Sequence, residues 1–299
     1  MTTHDTIHSN RRIAEEFRFR DIDDEFTIDE PEDFDALDDV DDDDELDGFD
    51  EVDEVEVELV VLALAGTTVA DDGLIERAFE RALDRAGIAI AAQDRVAALG
   101  YIRHNIGRDK REVFHRLLAG QREGSGAAGS SASHHDAEEA SHAAAEFEAA
   151  FAELIEREGI DPVPGAVATI GALRASGVNV AVISGLGRRT TDTILDALGG
   201  HEVVDIVFCS DDVRRGRPHP DLALTALLRC GASSVENMIV VGDTVSDIEG
   251  GIAAGAGITI GVLTGAHNER ALRAAGADAV VESVADLPAL LGFPATTGR

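Results

Sequence analysis

The chain has 299 residues and a formal net charge of -34, from 59 acidic and 25 basic side chains. This length is enough for a large core and predicts two domains. The charge is uneven, because residues 1–58 hold 26 of the acidic but only 4 of the basic side chains. An acidic field repels nucleic acid and anionic membranes. We therefore predict neither as a partner.

The first 56 residues form a low-complexity acidic tail centred on Asp41-Asp-Asp-Asp-Glu45. Like charges at this density oppose compaction and predict disorder. Binding of a basic partner by this tail is left open. The N-terminus has no apolar signal segment, and no run approaches the ~20 apolar residues that span a bilayer. These features predict a soluble, cytoplasmic protein.

Beyond residue 56, short apolar runs alternate with helical periodicity. Runs rich in Val, Ile and Leu are typical of parallel strands buried on both faces. The predicted strands are Val57–Ala63, Val178–Ile183, Asp205–Cys209, Met238–Val241, Ile258–Val262 and Ala279–Val281. The predicted helices between them are 165–176, 188–198, 219–230, 246–254 and 268–274. This alternation predicts the α/β class with a doubly wound parallel sheet.

One segment, residues 73–160, interrupts the alternation. Its periodicity predicts only helices, at 74–86, 91–101, 110–118 and 137–158, with a flexible Gly/Ser/Ala/His stretch at 120–135. A helical insertion after the first strand predicts a cap over the carboxyl ends of the strands, where parallel sheets bind ligands. The predicted domains are an acidic tail (1–56), an α/β core (57–72 with 161–294) and a helical cap (73–160).

Two glycine-containing motifs follow the first two predicted strands. The first reads Ala63-Leu-Ala-Gly-Thr-Thr-Val69, and its glycine lets the backbone approach a ligand closely. The second, Ile183-Ser-Gly-Leu-Gly-Arg188, leads into a helix whose N-terminal N–H groups suit an anion. An ordinary turn at the first and a helix cap by Ser184 or Thr190 at the second are the alternatives.

Two charged motifs lie further along the chain. In the stretch 211–220, Arg217 precedes Pro218, and a cation here can neutralise a phosphoryl group; a solvated basic loop is the alternative. The last motif is Gly242-Asp-Thr-Val-Ser-Asp247. Asp243 at a strand end suits Mg²⁺, a cation that takes oxygen ligands. An acidic helix start favoured by the helix dipole is the alternative, and it explains Asp247 alone.

Together the four motifs resemble those of the haloacid dehalogenase (HAD) superfamily of phosphohydrolases over residues 57–294, and most of all its phosphonatase-like members. The resemblance implies a Rossmann-like HAD core with an inserted cap. It implies Mg²⁺ bound by Asp243 and the backbone carbonyl of Ala65. It implies catalytic roles for Ser184, Arg217 and Asp247, and substrate binding by Gly66, Thr67, Gly185 and Arg188.

A further match lies in the predicted cap, at Gly107-Arg-Asp-Lys110. Phosphonatase has a Schiff-base lysine at the end of such a G-x-x-K, and the amine condenses with an aldehyde when burial or nearby cations lower its pKa. A plain surface lysine is the alternative. Basic residues cluster around Lys110, Arg188 and Arg217, which favours a small phosphorylated or phosphonylated metabolite as the ligand. A homodimer is left open.

Position 63 departs from the family. The resemblance implies an aspartate here that attacks phosphorus and binds Mg²⁺, and Ala63 can do neither. It therefore implies a weakened Mg²⁺ site and lost or severely reduced turnover. Asp71 and Asp72 are not expected to substitute, because an extended chain of ~3.3 Å per residue carries them past the strand end unless it folds back.

Several explanations of Ala63 are open: a natural pseudoenzyme, a deliberate or erroneous substitution, or another mechanism. Two classes of function follow from them. One is a phosphonatase-like phosphohydrolase that has lost most or all turnover. The other is a non-catalytic pseudoenzyme or scaffold that binds a phosphometabolite.

Overall fold

The computed structural model describes residues 56–91, 94–125 and 132–293. Its strands are β1 (Leu59–Ala63), β2 (Asn179–Ile183), β3 (Ile206–Phe208), β4 (Met238–Gly242), β5 (Ile258–Val262) and β6 (Ala279–Val281). Its α-helices are α1 (Leu74–Arg85), α2 (Arg95–His104), α3 (Lys110–Ser125), α4 (Ala132–Glu158), α5 (Ala166–Ala175), α6 (Arg188–Leu198), α7 (Asp221–Cys230), α8 (Val245–Ala253), α9 (Glu269–Ala274) and α10 (Leu287–Leu290). Short 3₁₀ turns lie at His201–Val203, Ser210–Asp212 and Val284–Asp286.

The strands form one parallel sheet in the order β3-β2-β1-β4-β5-β6. β1 lies in the middle, with β2 on one side and β4 on the other. The strand order therefore reverses at β1, and open α/β sheets bind ligands at such switch points. The predicted α/β class and doubly wound parallel sheet are confirmed.

Both faces of the sheet are buried, as the alternating side chains of β1 illustrate. Val60 and Leu62 belong to one apolar cluster, and Leu59 and Val61 belong to a second that includes Leu222 of α7. Burying each such side chain contributes roughly 1.5–3 kcal/mol to folding. Burial on both faces explains why β1 is an unbroken apolar run in the sequence.

Between β1 and β2, the described residues 74–158 form α1 to α4 and contain no strand. α4 packs against both α1 and α3. The rings of Phe79, Phe114 and Phe147 join these three helices, with centroid separations of 5.3 Å for Phe79–Phe114 and 4.6 Å for Phe79–Phe147. The helical content agrees with the sequence pattern, while the division into cap and core domains stays a prediction.

Some predicted boundaries differ from the structure. β1 begins at Leu59 rather than Val57, and helices extend into the stretch predicted to be flexible, since α3 runs to Ser125 and α4 begins at Ala132. The rest of that stretch and all but the last residue of the acidic tail lie outside the described residues. Among the helices described, none combines the length and apolarity needed to cross a membrane.

Candidate active site at the carboxyl edge of the sheet

Ala63 is the last residue of β1 and is 1% exposed. It pairs with Ile183 of β2, while the preceding Leu62 pairs with Val241 of β4. Ala63 therefore lies level with the end of β4, one residue before Asp243. Because neighbouring strands are about 4.8 Å apart, the sheet brings these two positions together at its carboxyl edge.

The turn after β1 is tight. The N–H groups of Thr68 and Val69 donate to the carbonyl of Leu64 at 2.9 and 3.0 Å. Gly66 has a φ of 80°, and a Cβ atom at this position would lie 2.2 Å from Oδ2 of Asp243. Glycine is required here both for the backbone conformation and for the close approach to that carboxylate.

This turn also folds the chain back, so that Asp71 does not continue away from the sheet. Burial, with a smaller contribution from the charge of Asp243, raises the pKa of Asp71 to about 6. Its Oδ1 accepts a hydrogen bond of 2.9 Å from the N–H of Ile75 at the start of α1. The carboxylate therefore stabilises a helix N-terminus while lying within the electrostatic range of Asp243.

Asp243 follows β4 and is 3% exposed. Its Oδ1 accepts a hydrogen bond from the Thr67 hydroxyl at 3.0 Å, and its Oδ2 accepts one from the N–H of Ala266 at 2.9 Å. Burial raises the pKa of Asp243. Both carboxylate oxygens therefore already have a protein donor.

Asp247 forms a reciprocal cap with Thr244 at the start of α8. Its Oδ2 accepts from the N–H of Thr244 at 3.0 Å, and the Thr244 hydroxyl accepts from the N–H of Asp247 at 3.2 Å. The other oxygen, Oδ1, pairs with Nη1 of Arg217. Arg217 is 8% exposed, and within the described residues its Nε has no hydrogen-bond partner. Arg217 is thus a buried cation and not part of a solvated loop.

Lys110 is the first residue of α3. Oδ1 of Asp109 caps this helix, accepting from the N–H groups of Arg111 at 2.9 Å and Glu112 at 3.3 Å. The preceding Gly107 has a φ of 95°, a backbone conformation that residues with a side chain rarely adopt. A glycine turn followed by an acidic cap therefore fixes where the lysine side chain begins.

The ammonium group of Lys110 is buried beside two aromatic rings. Nζ lies 5.8 Å and 5.3 Å from the ring centroids of Phe79 and Phe147, and it donates to the Arg108 carbonyl at 3.1 Å. Burial, aided by the positive charge of Arg217, lowers the pKa of Lys110 to about 8. With 7% of its surface exposed, Lys110 is not a plain surface lysine.

These groups meet at a cavity of about 20 Å³, room for about one water molecule. The predicted site residues that line it are Ala65, Lys110, Ser184, Gly185, Arg217, Asp243 and Asp247. Four others do not line it: Ala63, Gly66, Thr67 and Arg188. The sheet edge therefore gathers most of the predicted site around one small space, while the roles of these residues stay predictions.

A larger cavity of about 200 Å³ adjoins the first and shares Lys110 and Gly185 with it. A Cβ atom on Gly185 would lie 3.1 Å from Nη2 of Arg217 and 3.2 Å from the carbonyl oxygen of Gly107. The Gly107 loop (residues 105–109, between α2 and α3) and Arg217 both lie close to Gly185, where the two cavities meet. The absence of a side chain at Gly185 allows this close approach.

Comparison with known proteins identifies the family. A family model described as haloacid dehalogenase-like hydrolase matches residues 57–255. The chain belongs to this family. It is 30% identical over 269 residues to a phosphonoacetaldehyde hydrolase of Hahella chejuensis, covering 79% of this chain and 86% of that protein. The resemblance to phosphonatase-like HAD hydrolases is thereby confirmed.

Two other relatives extend the comparison. A phosphoglycolate phosphatase of Shigella boydii is 30% identical over 148 residues, which cover 50% of this chain and 58% of that protein. The crystal structure of a phosphonoacetaldehyde hydrolase-like protein from Oleispira antarctica matches with a TM-score of 0.64 at 24% identity, over 79% of this chain and 91% of that one. The structural match establishes a common fold.

In this HAD chain, a carboxylate from α4 contacts the start of α6. Oε1 of Glu148 accepts from the N–H of Gly187 at 3.0 Å, and Oε2 accepts from the Thr190 hydroxyl at 2.5 Å. A carboxylate at a helix N-terminus is favoured by the helix dipole. This contact therefore links the helical segment to the sheet side of the site.

Two further contacts connect the same parts. Arg108 forms an ion pair of 2.9 Å with Glu249 of α8. His267 contacts both α8 and α2. Its Nδ1 accepts from the N–H of Val245 at 2.9 Å, and its Nε2 lies 3.1 Å from the carbonyl oxygen of Arg103. Since the first contact makes Nδ1 an acceptor, the hydrogen is on Nε2. The helical segment is thus attached on more than one side of the cavity.

Arg188 is held away from the small cavity by acidic neighbours. Its N–H donates to Oδ2 of Asp211 at 2.7 Å, and its guanidinium pairs with Asp212 and lies 3.6 Å from Asp192. The structure thus gives Arg188 carboxylate partners where the sequence predicts a substrate contact.

Sequence reasoning missed several residues that shape the site. Glu148 lies in an alanine-rich helix and gives no local signal of its contact with α6. Thr244 could have been found, because a Thr three residues before an acidic residue is a capping-box pattern. The partner of Oδ2 of Asp243, the Ala266 N–H, is a backbone group in a distant loop and has no residue-type signal.

Proposed function

We propose that this chain is a phosphonatase-like HAD protein that binds a small phosphate or phosphonate metabolite, with turnover lost or severely reduced. The observation that carries the proposal is the side chain at the switch point of the sheet. Ala63 ends β1 beside the strand that leads to Asp243, and its methyl group has no lone pair with which to attack phosphorus. The cationic groups around the neighbouring cavity favour an anion.

The binding half of the proposal rests on Lys110, Ser184 and Arg217, which line the cavity. The guanidinium of Arg217 stays protonated and can face a phosphoryl group. Ser184 is 2% exposed, and its hydroxyl can donate to a phosphoryl oxygen. Burial keeps water from competing for these groups, so each interaction with an anion is stronger than it would be in solvent.

Lys110 adds a covalent possibility for an aldehyde ligand. A pKa of about 8 leaves a fraction of the amine neutral near pH 7. The neutral amine attacks the aldehyde carbon, and loss of water gives an imine. Lys110 is buried with its Nζ beside the Phe79 and Phe147 rings, so that its rotamers are restricted before the ligand binds. We propose α1 to α4 as the cap that carries this lysine.

Members of the HAD family generally use Mg²⁺, and the residues present do not make up a full Mg²⁺ site. Ala63 supplies no oxygen ligand. Both oxygens of Asp243 accept hydrogen bonds from protein donors, and those of Asp247 are engaged by Thr244 and Arg217. Mg²⁺ requires near-ideal octahedral coordination by oxygen, so its affinity here is expected to be low.

The proposal is tested by adding the missing carboxylate. Turnover of p-nitrophenyl phosphate and of phosphonoacetaldehyde is measured with Mg²⁺ for the unmodified chain and for Ala63→Asp. We expect little or no turnover before the change and an increase of several powers of ten after it, because a covalent nucleophile is gained. Ala63→Asn is the matched control, since it has the same size but no nucleophilic oxygen anion.

Two results would contradict the proposal. Robust Mg²⁺-dependent hydrolysis by the unmodified chain, abolished by Asp243→Asn, would mean that Ala63 does not limit turnover. A folded but inactive Ala63→Asp variant would favour the second candidate, a pseudoenzyme or scaffold. That candidate is supported by the way Asp243 and Asp247 are already satisfied by internal donors.

A further inference from the structure

We propose that the small cavity binds a phosphate or phosphonate dianion without a divalent cation. The inference rests on the proposed function in taking such an anion as the ligand. It goes beyond that function in assigning to this chain a mode of binding in which Lys110 and Arg217 replace the metal.

The side chains of the site offer a metal ion fewer ligands than a full site needs. Ala63 supplies none, the oxygens of Asp243 already accept from the Thr67 hydroxyl and the Ala266 N–H, and Oδ1 of Asp247 pairs with Arg217. A metal ion would share Asp243 with those donors and compete with a buried cation for Asp247. We therefore expect a metal ion to bind weakly here.

The two cations of the site have few carboxylate partners. Within the described residues, no carboxylate forms an ion pair with Lys110, whose Nζ donates to a single backbone carbonyl, that of Arg108. Arg217 has one carboxylate partner, Asp247, and its buried Nε has no partner among the same residues. A buried cation is unfavourable unless an anion pairs with it. Two cations that line one cavity thus leave room for an anion from solution.

The charges around the cavity include more carboxylates than cations. Lys110, Arg217, Asp243 and Asp247 line it, and the charges of Glu148, Asp109 and Asp71 also act on Lys110. An additional carboxylate at position 63 would increase this negative charge, which repels a dianion until a divalent cation neutralises it. Alanine at this position avoids that increase. The same substitution that removes the nucleophile therefore reduces the need for a metal in binding.

The test is titration calorimetry of the full chain with inorganic phosphate, in EDTA and separately in Mg²⁺. We expect binding in EDTA, with the same affinity in Mg²⁺. Ala63→Asp should weaken binding in EDTA by about tenfold or more and restore it in Mg²⁺, because it adds one buried negative charge. Ala289→Asp is the matched control, since it adds the same charge at an exposed position of α10 and should bind as the unmodified chain does.

The cationic half of the site is tested with Lys110→Met, which keeps an unbranched apolar stem and should lose most of the binding in EDTA. Binding of phosphate by the unmodified chain only in Mg²⁺, or no binding in either condition, would overturn the inference. Unchanged binding by Ala63→Asp in EDTA would also overturn it. These outcomes are distinguishable from failure of the proposed function, which is judged by turnover of the unmodified chain and of Ala63→Asp.

Discussion

Gly107 and Thr244 approach so closely that a Cβ atom on Gly107 would lie 2.4 Å from Oγ1 of Thr244. This contact joins the loop before Lys110 to the motif that contains Asp243 and Asp247. The side chain missing at Gly107 thus allows the helical segment to seat against the sheet and brings Lys110 to the cavity.

Gly107→Ala should therefore impair the site more than backbone strain alone would. We expect it to reduce labelling of Lys110 by an aldehyde ligand, because the loop must shift away from Thr244. Gly87→Ala is the matched control, since Gly87 also has a positive φ, of 70°, but nothing lies within 4 Å of its added Cβ. The control should lose about 1–2 kcal/mol of stability from strain and keep normal labelling. Equal labelling by both variants would contradict the prediction.

Lys110 should form an imine with phosphonoacetaldehyde even in the absence of turnover. Condensation at the aldehyde precedes any attack on phosphorus, so Ala63 does not prevent it. Borohydride reduction followed by peptide mass spectrometry reads the adduct directly, because Lys110 is the only lysine in the chain and the α-amino group lies on another peptide. The yield should rise with pH through about 8, as the amine loses its proton. An adduct found only on the peptide that carries the α-amino group would contradict this prediction.

Lys110→Met should stabilise the protein at neutral pH. The pKa of Lys110 falls from 10.5 to about 8 on folding, so below pH 8 the buried charge lowers the free energy of unfolding by up to about 3 kcal/mol. The unfolded chain binds more protons between these two values, and the penalty therefore shrinks as the pH rises from about 8 to 10.5. Urea denaturation measures the free energy of unfolding of both proteins at pH 7 and pH 10, and the difference between them should be smaller at pH 10. A difference that does not change with pH would mean that altered packing, and not the buried charge, causes it.

Glu148→Gln should loosen the contact between α4 and α6. The amide keeps one acceptor but loses the negative charge, so either the Gly187 N–H or the Thr190 hydroxyl loses its partner. We expect a loss of about 1–2 kcal/mol and faster hydrogen exchange of amides at the start of α6. Glu249→Gln is the comparison, because its ion pair with Arg108 is partly exposed and should contribute about 1 kcal/mol or less. Equal effects of the two variants would count against a special role for Glu148.

Sequence patterns predicted the sheet well because burial on both faces leaves unbroken apolar runs. β5 and β6 match their predicted bounds, and α6 does so as well. The ends of α3 and α4 were harder, because the many Gly, Ser and Ala residues between 120 and 135 are typical of a loop. Both helices nevertheless extend into this stretch. α3 and α4 pack against each other, and local propensity alone does not specify where packed helices end.

The sequence motifs predicted that Lys110, Arg217 and Asp243 would lie together, and they line one cavity, while their roles stay predictions. Contacts between distant segments were not predictable in this way. Substrate binding by Arg188 stays a prediction, and no sequence signal indicated that Asp211 and Asp212 engage this residue from a separate segment. The return of Asp71 toward the sheet depends on backbone hydrogen bonds within the 64–69 turn, which residue types alone do not specify.

The small cavity has a consequence for the kinetics of binding. A volume of about 20 Å³ leaves little free space around a bound anion, so we expect the Gly107 loop and its neighbours to move apart before an anion enters. The observed association rate should therefore stop rising at high phosphate concentration and level off at the rate of opening. The measured affinity is then the intrinsic one reduced by the fraction of open molecules, so a chain that opens rarely would bind weakly however well its cations fit the ligand.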